Sequence, residues 1–143
     1  MLVVGLCGCS VLGDALGDGE VDVFTLVVGD CLNDASETGD VSTVPVVDCD
    51  EPHDSEVYAR VLMDDPKYPG EEATIAAADE ACRAEFERFV GVPSSQSEYR
   101  YATLYPTENS WSGGDREILC RIAHVDDAGA VTRVTGSLAG VAE

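Results

Sequence analysis

Glu71 to Val90, which reads EEATIAAADEACRAEFERFV, is the most regular stretch of this sequence. Its apolar residues recur at intervals of three and four, a spacing that places them on one face of an α-helix. Glu71 and Glu72 suit the positive end of the helix dipole, and Gly91 with Pro93 is typical of a helix end. We predict one amphipathic helix over residues 71–90, with an apolar stripe formed by Ile75, Ala78, Cys82, Phe86 and Phe89.

Other segments have the composition of β-strands, because they are short, rich in β-branched and aromatic residues, and bounded by turn residues. They span residues 21–28, 44–47, 56–63, 99–105, 117–123 and 131–138. Pro45 indicates that the second segment lies at a sheet edge, because proline cannot donate a ladder hydrogen bond. One helix among strands, without strand–helix alternation, predicts a single small α+β domain in which the helix packs on a mostly antiparallel sheet.

Alternation along two of these segments predicts which side chains share a face. Val57, Ala59 and Val61 fall on one face of their strand. Alternate residues of the segment 99–105, beginning with Tyr99, form another such face. That second face is a candidate binding surface if it is exposed, and part of the core if it is covered.

A short motif near the start predicts where the protein resides. Leu6-Cys7-Gly8-Cys9 closes an apolar leader and resembles the lipobox of bacterial lipoproteins. In that pathway the last cysteine receives a diacylglyceryl group and the peptide before it is removed. We expect residues 1–8 to be a lipoprotein signal peptide, Cys9 to be the lipidated N-terminus, residues 9–22 to be a flexible tether, and residues 23–143 to form the domain.

The leader itself has unusual features. It carries no Lys or Arg and is short for an export signal, so we expect the true start codon to lie upstream. Two alternatives stay open, namely a frayed apolar N-terminus and a metal-binding pair formed by Cys7 and Cys9.

The other cysteines are Cys31, Cys49, Cys82 and Cys120. An even number of widely spaced cysteines behind an export signal predicts two disulfides, and the lack of a Cys-x-x-Cys motif argues against a redox or zinc-knuckle pair. Sequence alone permits three pairings. We favour Cys31–Cys49 and Cys82–Cys120, because Cys82 lies on the helix stripe and Cys120 shares a strand face with Ile118 and Ile122, so both point at the core.

The charge of the chain excludes some classes of partner. It has 28 acidic and 8 basic residues, for a formal net charge of −20. Such a chain repels nucleic acid and anionic lipid head groups, so we expect no nucleic-acid partner. No apolar run is long enough to span a bilayer, and we expect contact with the membrane through the lipid anchor alone.

Four segments together resemble the actinobacterial septum formation family of extracytoplasmic domains. The resemblance rests on Val28-Gly29-Asp30-Cys31, on Cys49 with Pro52-His53 and Glu56-Val57-Tyr58, on Cys82 before Gly91, and on Tyr105-Pro106 with Trp111, Asp115-Arg116 and Cys120. It implies an envelope domain on a lipid or transmembrane anchor, with no established catalytic activity. We therefore expect a non-catalytic binding or scaffold module without a cofactor, linked to cell division or cell-wall maintenance, whose partner is an envelope or division protein or a cell-wall ligand.

His53 is one candidate for chemistry, because it lies among many carboxylates, including that of Glu56. One interpretation is a metal or cation site, which leads to the alternative function of a small extracytoplasmic hydrolase or metal-binding protein centred on His53. The other, which we favour, is a histidine in a proline-led turn that donates to a backbone carbonyl. On that interpretation no metal is bound.

Trp111, Asp115 and Arg116 form a second candidate, a ligand patch suited to a sugar face or a peptide carboxylate. The alternative is a turn in which Asp115 accepts from backbone amides and Arg116 pairs with a carboxylate or stacks on Trp111. The sequence contains no Gly-x-Ser-x-Gly, His-Glu-x-x-His or phosphate-binding glycine motif, so we expect no enzyme.

Overall fold

The computed structural model of this chain describes residues 19–36 and 41–139. The strands in these ranges are β1 (Gly19–Asp22), β2 (Cys31–Leu32), β3 (Thr43–Val47), β4 (Ser55–Leu62), β5 (Tyr99–Leu104), β6 (Glu117–Val125) and β7 (Val131–Thr132). The helices are α1 (Glu71–Val90) and the short α2 (Glu108–Ser112), with 3₁₀ turns at Val23–Thr25 and Ser94–Gln96. The strands form one antiparallel sheet in the order β1-β3-β2-β4-β6-β5, and β7 pairs with the far end of β6. The predicted α+β fold is confirmed.

Helix α1 has the predicted bounds and ends at Gly91, whose φ of 99° is a left-handed conformation that glycine adopts without strain. Its buried stripe differs from the prediction at both ends, with Thr74 in place of Ile75 and Val90 in place of Phe89, which is only partly buried. The side chains facing the sheet are spaced by four residues and are Thr74, Ala78, Cys82, Phe86 and Val90. Ile75 is 41% exposed, because the first buried position belongs to Thr74, whose hydroxyl donates to the Gly70 carbonyl at 2.8 Å and is thereby satisfied.

The sheet separates two apolar cores. The helix-side core lies between α1 and strands β4, β5 and β6, and contains Tyr58, Ala59, Ala78, Cys82, Phe86, Val90, Ile118, Cys120, Ile122 and Leu138. The curl-side core lies on the opposite face and contains Val23, Leu26, Leu32, Val44, Val57 and Leu119. Leu119 and Cys120 are neighbours on β6 and point to opposite faces, as a strand requires. The sheet therefore curls, because β1, β2 and β3 fold over the face that α1 leaves open.

A β-bulge in β4 changes which of its side chains face each core. In the register with β6, Val57 lies opposite Arg121 and Ala59 lies opposite Cys120, so Tyr58 is the extra residue. The prediction that Val57, Ala59 and Val61 share one face is therefore wrong at Val57. That side chain lies in the curl-side core, while Tyr58 and Ala59 both lie in the helix-side core.

The first predicted strand, residues 21–28, is mostly wrong. β1 ends at Asp22, whose carboxylate accepts from the Phe24 amide at 2.9 Å and starts the 3₁₀ turn. This side-chain to backbone bond competes with strand pairing. Residues 19–22, assigned to the tether by sequence, pair with β3 and belong to the sheet.

Two other strand predictions are also corrected. Pro45 does not mark an edge strand, because β3 lies between β1 and β2. The Pro45 carbonyl still accepts from the Asn33 amide at 3.0 Å, so the only hydrogen bond that proline cannot form here is the one from a backbone N–H. The segment 131–138 is a strand only over β7, and beyond it Val134 forms an isolated bridge with His53.

Both disulfides have the predicted pairing. Cys31 of β2 is bonded to Cys49, just after β3, and Cys82 of α1 is bonded to Cys120 of β6. The Cα–Cα distance is 5.3 Å in each case. The second bond ties the helix to β6, which lies between β4 and β5 in the sheet.

The predicted signal peptide and lipid site, including Cys7 and Cys9, lie outside the described residues. Within the described ranges, no helix combines the length and apolar character needed to cross a bilayer.

Candidate functional site

A groove opens on the face of the sheet that carries the curl-side core, opposite α1. We call it the sheet groove, and its volume is about 600 Å³. Its lining includes Val23 and Phe24 of the first 3₁₀ turn on one side, Leu104 at the end of β5 on the other, and Leu119 and Arg121 of β6. Phe24 is 52% exposed, so the groove presents an aromatic side chain as well as polar ones.

A second depression adjoins the sheet groove. This helix cleft has a volume of about 620 Å³ and lies between the start of α1 and the start of α2. Tyr68 and Glu71 line one wall, and Glu108 lies on the other. Three residues line both depressions, namely Tyr105, Thr107 and Asn109. The two depressions therefore form one continuous surface of aromatic, hydroxyl, amide and carboxylate groups around the β5–α2 connection.

Asp115 is part of the lining of the sheet groove, whereas Trp111 and Arg116 lie next to it and contact each other. The Arg116 guanidinium carbon is 3.7 Å from the centroid of the Trp111 ring, and the Tyr68 ring centroid is 5.8 Å from that of Trp111. Arg116 also donates to the carbonyls of Trp111 and Asp115, at 2.8 and 2.7 Å. Because Trp111 is buried beneath these groups, its ring is not open to a ligand in this arrangement.

The Asp115 carboxylate organises the turn that follows α2. It accepts from the Ser110 hydroxyl at 2.8 Å and from the Glu117 amide at 3.0 Å. Ser110 and Thr107 in turn form a capping box at the start of α2. These contacts are those of the turn predicted as the alternative to a ligand patch, and they hold Tyr105 and Thr107 at the rim shared by both depressions.

His53 is fully buried at the other end of the domain. Its backbone exchanges two hydrogen bonds with Val134, at 2.9 and 3.0 Å. Its ring Nδ1 lies 2.8 Å from the Glu51 carbonyl oxygen, which can only accept, so Nδ1 carries the proton. The other ring nitrogen, Nε2, is buried and has no hydrogen-bond partner among the described residues. The turn geometry that we favoured is present, and it leaves one lone pair of the imidazole unused.

Glu56 is buried next to His53, and its carboxylate is held from two sides. Oε1 accepts from the Ser137 hydroxyl at 2.9 Å, and Oε2 accepts from the Leu138 amide at 2.6 Å. Cys31 lies opposite Glu56 in the register of β2 with β4. The Cys31 sulfur, one ring nitrogen of His53 and one carboxylate oxygen of Glu56 all lie within 4.8 Å of one another.

Nothing in the sequence connects Cys31 to His53. The two are distant in sequence, and β2 is too short to be recognised from its composition. Only the pairing of β2 with β4 brings them together.

Two further buried carboxylates were missed. Asp34 accepts from the Ser55 hydroxyl at 2.7 Å and forms an ion pair with Arg121. Asp54 accepts from the Ala35 amide at 3.0 Å and forms an ion pair with Arg133 at 3.1 Å. In so acidic a chain nothing in the sequence distinguishes these two from solvated residues.

Fold and site together define a small, disulfide-bonded α+β domain with a polar and aromatic surface groove. The chain belongs to the septum formation family, whose family model matches residues 28–143. The resemblance inferred from the sequence is thereby confirmed.

Curated relatives occur in two mycobacteria. The chain is 34% identical over 94 residues to "Putative lipoprotein LppN" of Mycobacterium tuberculosis and, equally, to the protein of the same name in Mycobacterium bovis. The match covers 64% of this chain, and it spans about half, 50%, of the length of those relatives. No solved structure matches the chain.

Proposed function

We propose that this protein is a lipid-anchored lipoprotein of the cell envelope, whose domain acts outside the membrane as a non-catalytic binding module. The observation that carries the proposal is the pair of disulfides, because such bonds form and persist in oxidising compartments. The Leu6-to-Cys9 motif and the name of the mycobacterial relatives support a lipid anchor at Cys9.

The sheet groove and helix cleft are the proposed binding surface. Ligand sites combine apolar or aromatic walls with a few placed polar groups, and this surface offers both. Tyr105, Thr107 and Asn109 lie at the centre of the continuous surface. An extended cell-wall ligand or an extended segment of an envelope protein would contact both depressions at once. The family name motivates a role in division.

The anchor is tested on protein recovered from its native envelope. Intact mass and thiol counting should show a chain that begins at a lipidated Cys9, with all four domain cysteines oxidised. Cys9→Ser should abolish lipidation and release the protein, whereas Cys7→Ser, two residues away, should leave both unchanged. An unprocessed cytosolic chain with all six cysteines as free thiols would contradict the proposal.

The binding surface is tested by co-sedimentation with purified cell wall and by cross-linking in the envelope. Tyr105→Ala should reduce the bound fraction severalfold, because Tyr105 lines both depressions. Ile75→Ser is the matched control, since Ile75 is an exposed apolar residue of α1 that lines neither. Equal binding or cross-linking by the two variants would exclude this surface as the site.

The link to division is tested in a deletion strain. New wall should be misplaced or delayed at the septum, as seen by labelling nascent wall, and restored by the wild-type gene but not by the Tyr105→Ala gene. A deletion strain that divides and labels like its parent under envelope stress would contradict that role and leave the anchor untouched.

A further inference from the structure

The Cys31–Cys49 disulfide lies against a buried imidazole and a buried carboxylate, and this juxtaposition has a chemical use. We propose that reduction of this disulfide creates a Zn²⁺ site with Cys31, Cys49, His53 and Glu56 as its four ligands. The site is separate from the proposed binding surface, and neither proposal depends on the other. The link between Cys31 of β2 and Cys49 after β3 would thus be covalent in the oxidised domain and made through the metal in the reduced domain.

His53 has the arrangement of a metal-binding histidine before any metal arrives. In metal sites the non-coordinating ring N–H is usually held by a carbonyl or carboxylate, which fixes the tautomer and aims the other nitrogen at the metal. Here the Nδ1 proton is held by the Glu51 carbonyl at 2.8 Å, and Nε2 is fully buried without a hydrogen-bond partner among the described residues. A buried nitrogen lone pair normally finds a donor, so this one is unusual, and it is free to bind a metal ion once Cys31 is reduced.

Glu56 is oriented in the same way. Its two oxygens accept from Ser137 and Leu138, which holds the carboxylate still, and each oxygen retains a further lone pair for a ligand bond. Coordinating carboxylates are commonly held by such neighbours. The native fold therefore holds both the His53 imidazole and the Glu56 carboxylate in place before a metal binds.

The distances allow coordination with small shifts. Tetrahedral zinc, with bonds of about 2.0 to 2.3 Å, holds its ligand atoms roughly 3.3 to 3.8 Å apart. The Cys31 sulfur, one ring nitrogen of His53 and one carboxylate oxygen of Glu56 already lie within 4.8 Å of one another, so each needs to move by about 1 Å or less. Cys49 is half-buried and lies in the loop after β3, so its freed thiol can turn to complete the set.

The chemistry balances with a dithiol as reductant. The dithiol gives up two electrons and two protons and becomes a disulfide. The two electrons break the Cys31–Cys49 bond, and the two protons pass to the Cys31 and Cys49 sulfurs. Zn²⁺ then binds both sulfurs as thiolates and the two protons leave to solvent. Attack falls on the half-exposed Cys49 sulfur, whereas Cys82 and Cys120 are fully buried. The two disulfides are therefore reduced in sequence, with Cys31–Cys49 first.

A site with two thiolates, one imidazole and one carboxylate binds zinc in preference to magnesium or calcium. Co²⁺ is the spectroscopic probe for the same site, because thiolate-bound tetrahedral Co²⁺ gives a near-ultraviolet charge-transfer band and intense visible bands. The experiment starts from folded protein treated with a mild dithiol until mass spectrometry after alkylation shows two modified cysteines, mapped to Cys31 and Cys49.

The expected result is stoichiometric Co²⁺ binding with the thiolate band, and displacement of Co²⁺ by one equivalent of Zn²⁺. The fully oxidised protein should show neither. His53→Asn should weaken Zn²⁺ binding by about tenfold or more, since Asn can still donate to the Glu51 carbonyl but lacks Nε2. His124→Asn is the matched control, because His124 is the only other histidine, is not one of the four proposed ligands, and hydrogen-bonds to Thr132 of β7.

Glu56→Gln is a second variant that tests the site if His53→Asn does not fold. Circular dichroism of the oxidised protein shows whether each variant is folded. Glu56→Gln too should weaken Zn²⁺ binding by about tenfold or more. Absence of the thiolate band in the reduced wild-type protein would overturn the proposal. So would a Zn²⁺ affinity that is the same in wild type, His53→Asn and Glu56→Gln, because the cysteines alone would then account for binding.

Discussion

The guanidinium group of Arg116 lies over the Trp111 ring, with its central carbon 3.7 Å from the ring centroid. The same guanidinium donates to the Trp111 carbonyl, so Arg116 contacts both the side chain and the backbone of that residue. A side chain held in this way acts as a cover for the aromatic ring. The pair therefore stabilises the α2 turn, and the open part of the nearby surface is Tyr105 and its neighbours.

Arg116→Gln should expose Trp111 and destabilise the domain by about 1 kcal/mol, through loss of the cation–π contact and its backbone bonds. Trp111 is the only tryptophan, so its fluorescence emission reports the change directly and should shift to longer wavelength. Arg88→Gln is the control, because Arg88 is an exposed arginine of α1. An unchanged emission spectrum in Arg116→Gln would show that the contact does not cover the ring in solution.

Tyr58 joins the bulge to the helix, since its hydroxyl donates to the Cys82 carbonyl at 2.6 Å. Burial, and next the nearby Tyr101 and Glu85, raise the pKa of Tyr58 above its ordinary value of about 10. The folded state therefore holds this proton more tightly than the unfolded state does. This contribution to stability is fully present below about pH 10 and is lost as the pH rises beyond it.

Tyr58→Phe should cost about 1 kcal/mol at neutral pH and flatten the loss of stability above about pH 10. Urea unfolding between neutral and strongly alkaline pH measures both effects. Tyr68→Phe, which leaves the bond to Cys82 in place, should keep the wild-type profile. A Tyr58→Phe profile parallel to wild type would place the alkaline sensitivity elsewhere, with Tyr101 as the next candidate because burial and its hydrogen bond to Asp79 also raise its pKa.

The two ion pairs of the buried carboxylates should differ in their effect on stability. The Arg121 side chain is 17% exposed and its partner Asp34 is buried, whereas the Arg133 side chain is 58% exposed. Arg121→Met should cost about 3 kcal/mol or more, because it leaves a buried carboxylate without its countercharge. Arg133→Met should cost less than about 1 kcal/mol, since solvent screens that pair. Equal losses on urea unfolding would contradict this ranking.

The two disulfides should contribute unequally to the free energy of unfolding. In the chain-entropy model a separation of 18 residues stabilises by about 3 kcal/mol and one of 38 residues by about 4 kcal/mol. Paired Cys→Ala substitution of Cys82 and Cys120 should therefore lower the unfolding free energy more than the same change at Cys31 and Cys49. Removing the buried pair also takes two sulfurs out of the helix-side core, which adds to the difference. Urea unfolding that ranks the pairs in the opposite order would contradict the model.

Sequence periodicity predicts α1 well because its bounds depend on local signals, the acidic first turn and Gly91. The pairing of Cys82 with Cys120 follows from the same reasoning, since both lie on inward faces that periodicity identifies. The β4 bulge could not be predicted in this way, because a single extra residue leaves the composition of a strand unchanged. Thr74 was missed for a related reason, as its polar group is satisfied by Gly70, one turn away.

The candidate sites were predicted only in part. His53, Glu56, Trp111, Asp115 and Arg116 were named from the sequence, and the structure shows what each contacts. The meeting of Cys31 with His53 and Glu56 depends on β2, a two-residue strand whose place is set by its neighbours. The groove around Tyr105 depends on how far the sheet curls, which no local pattern encodes.

The two faces of β4 also bear on how the domain unfolds. Because Val57 belongs to one core and Tyr58 to the other, neither core can open without disturbing the same strand. β6 is shared in the same way, through Leu119 and Cys120. No boundary therefore exists along which half of the described domain could melt while the other half persists, and the two faces of the sheet behave as one cooperative unit.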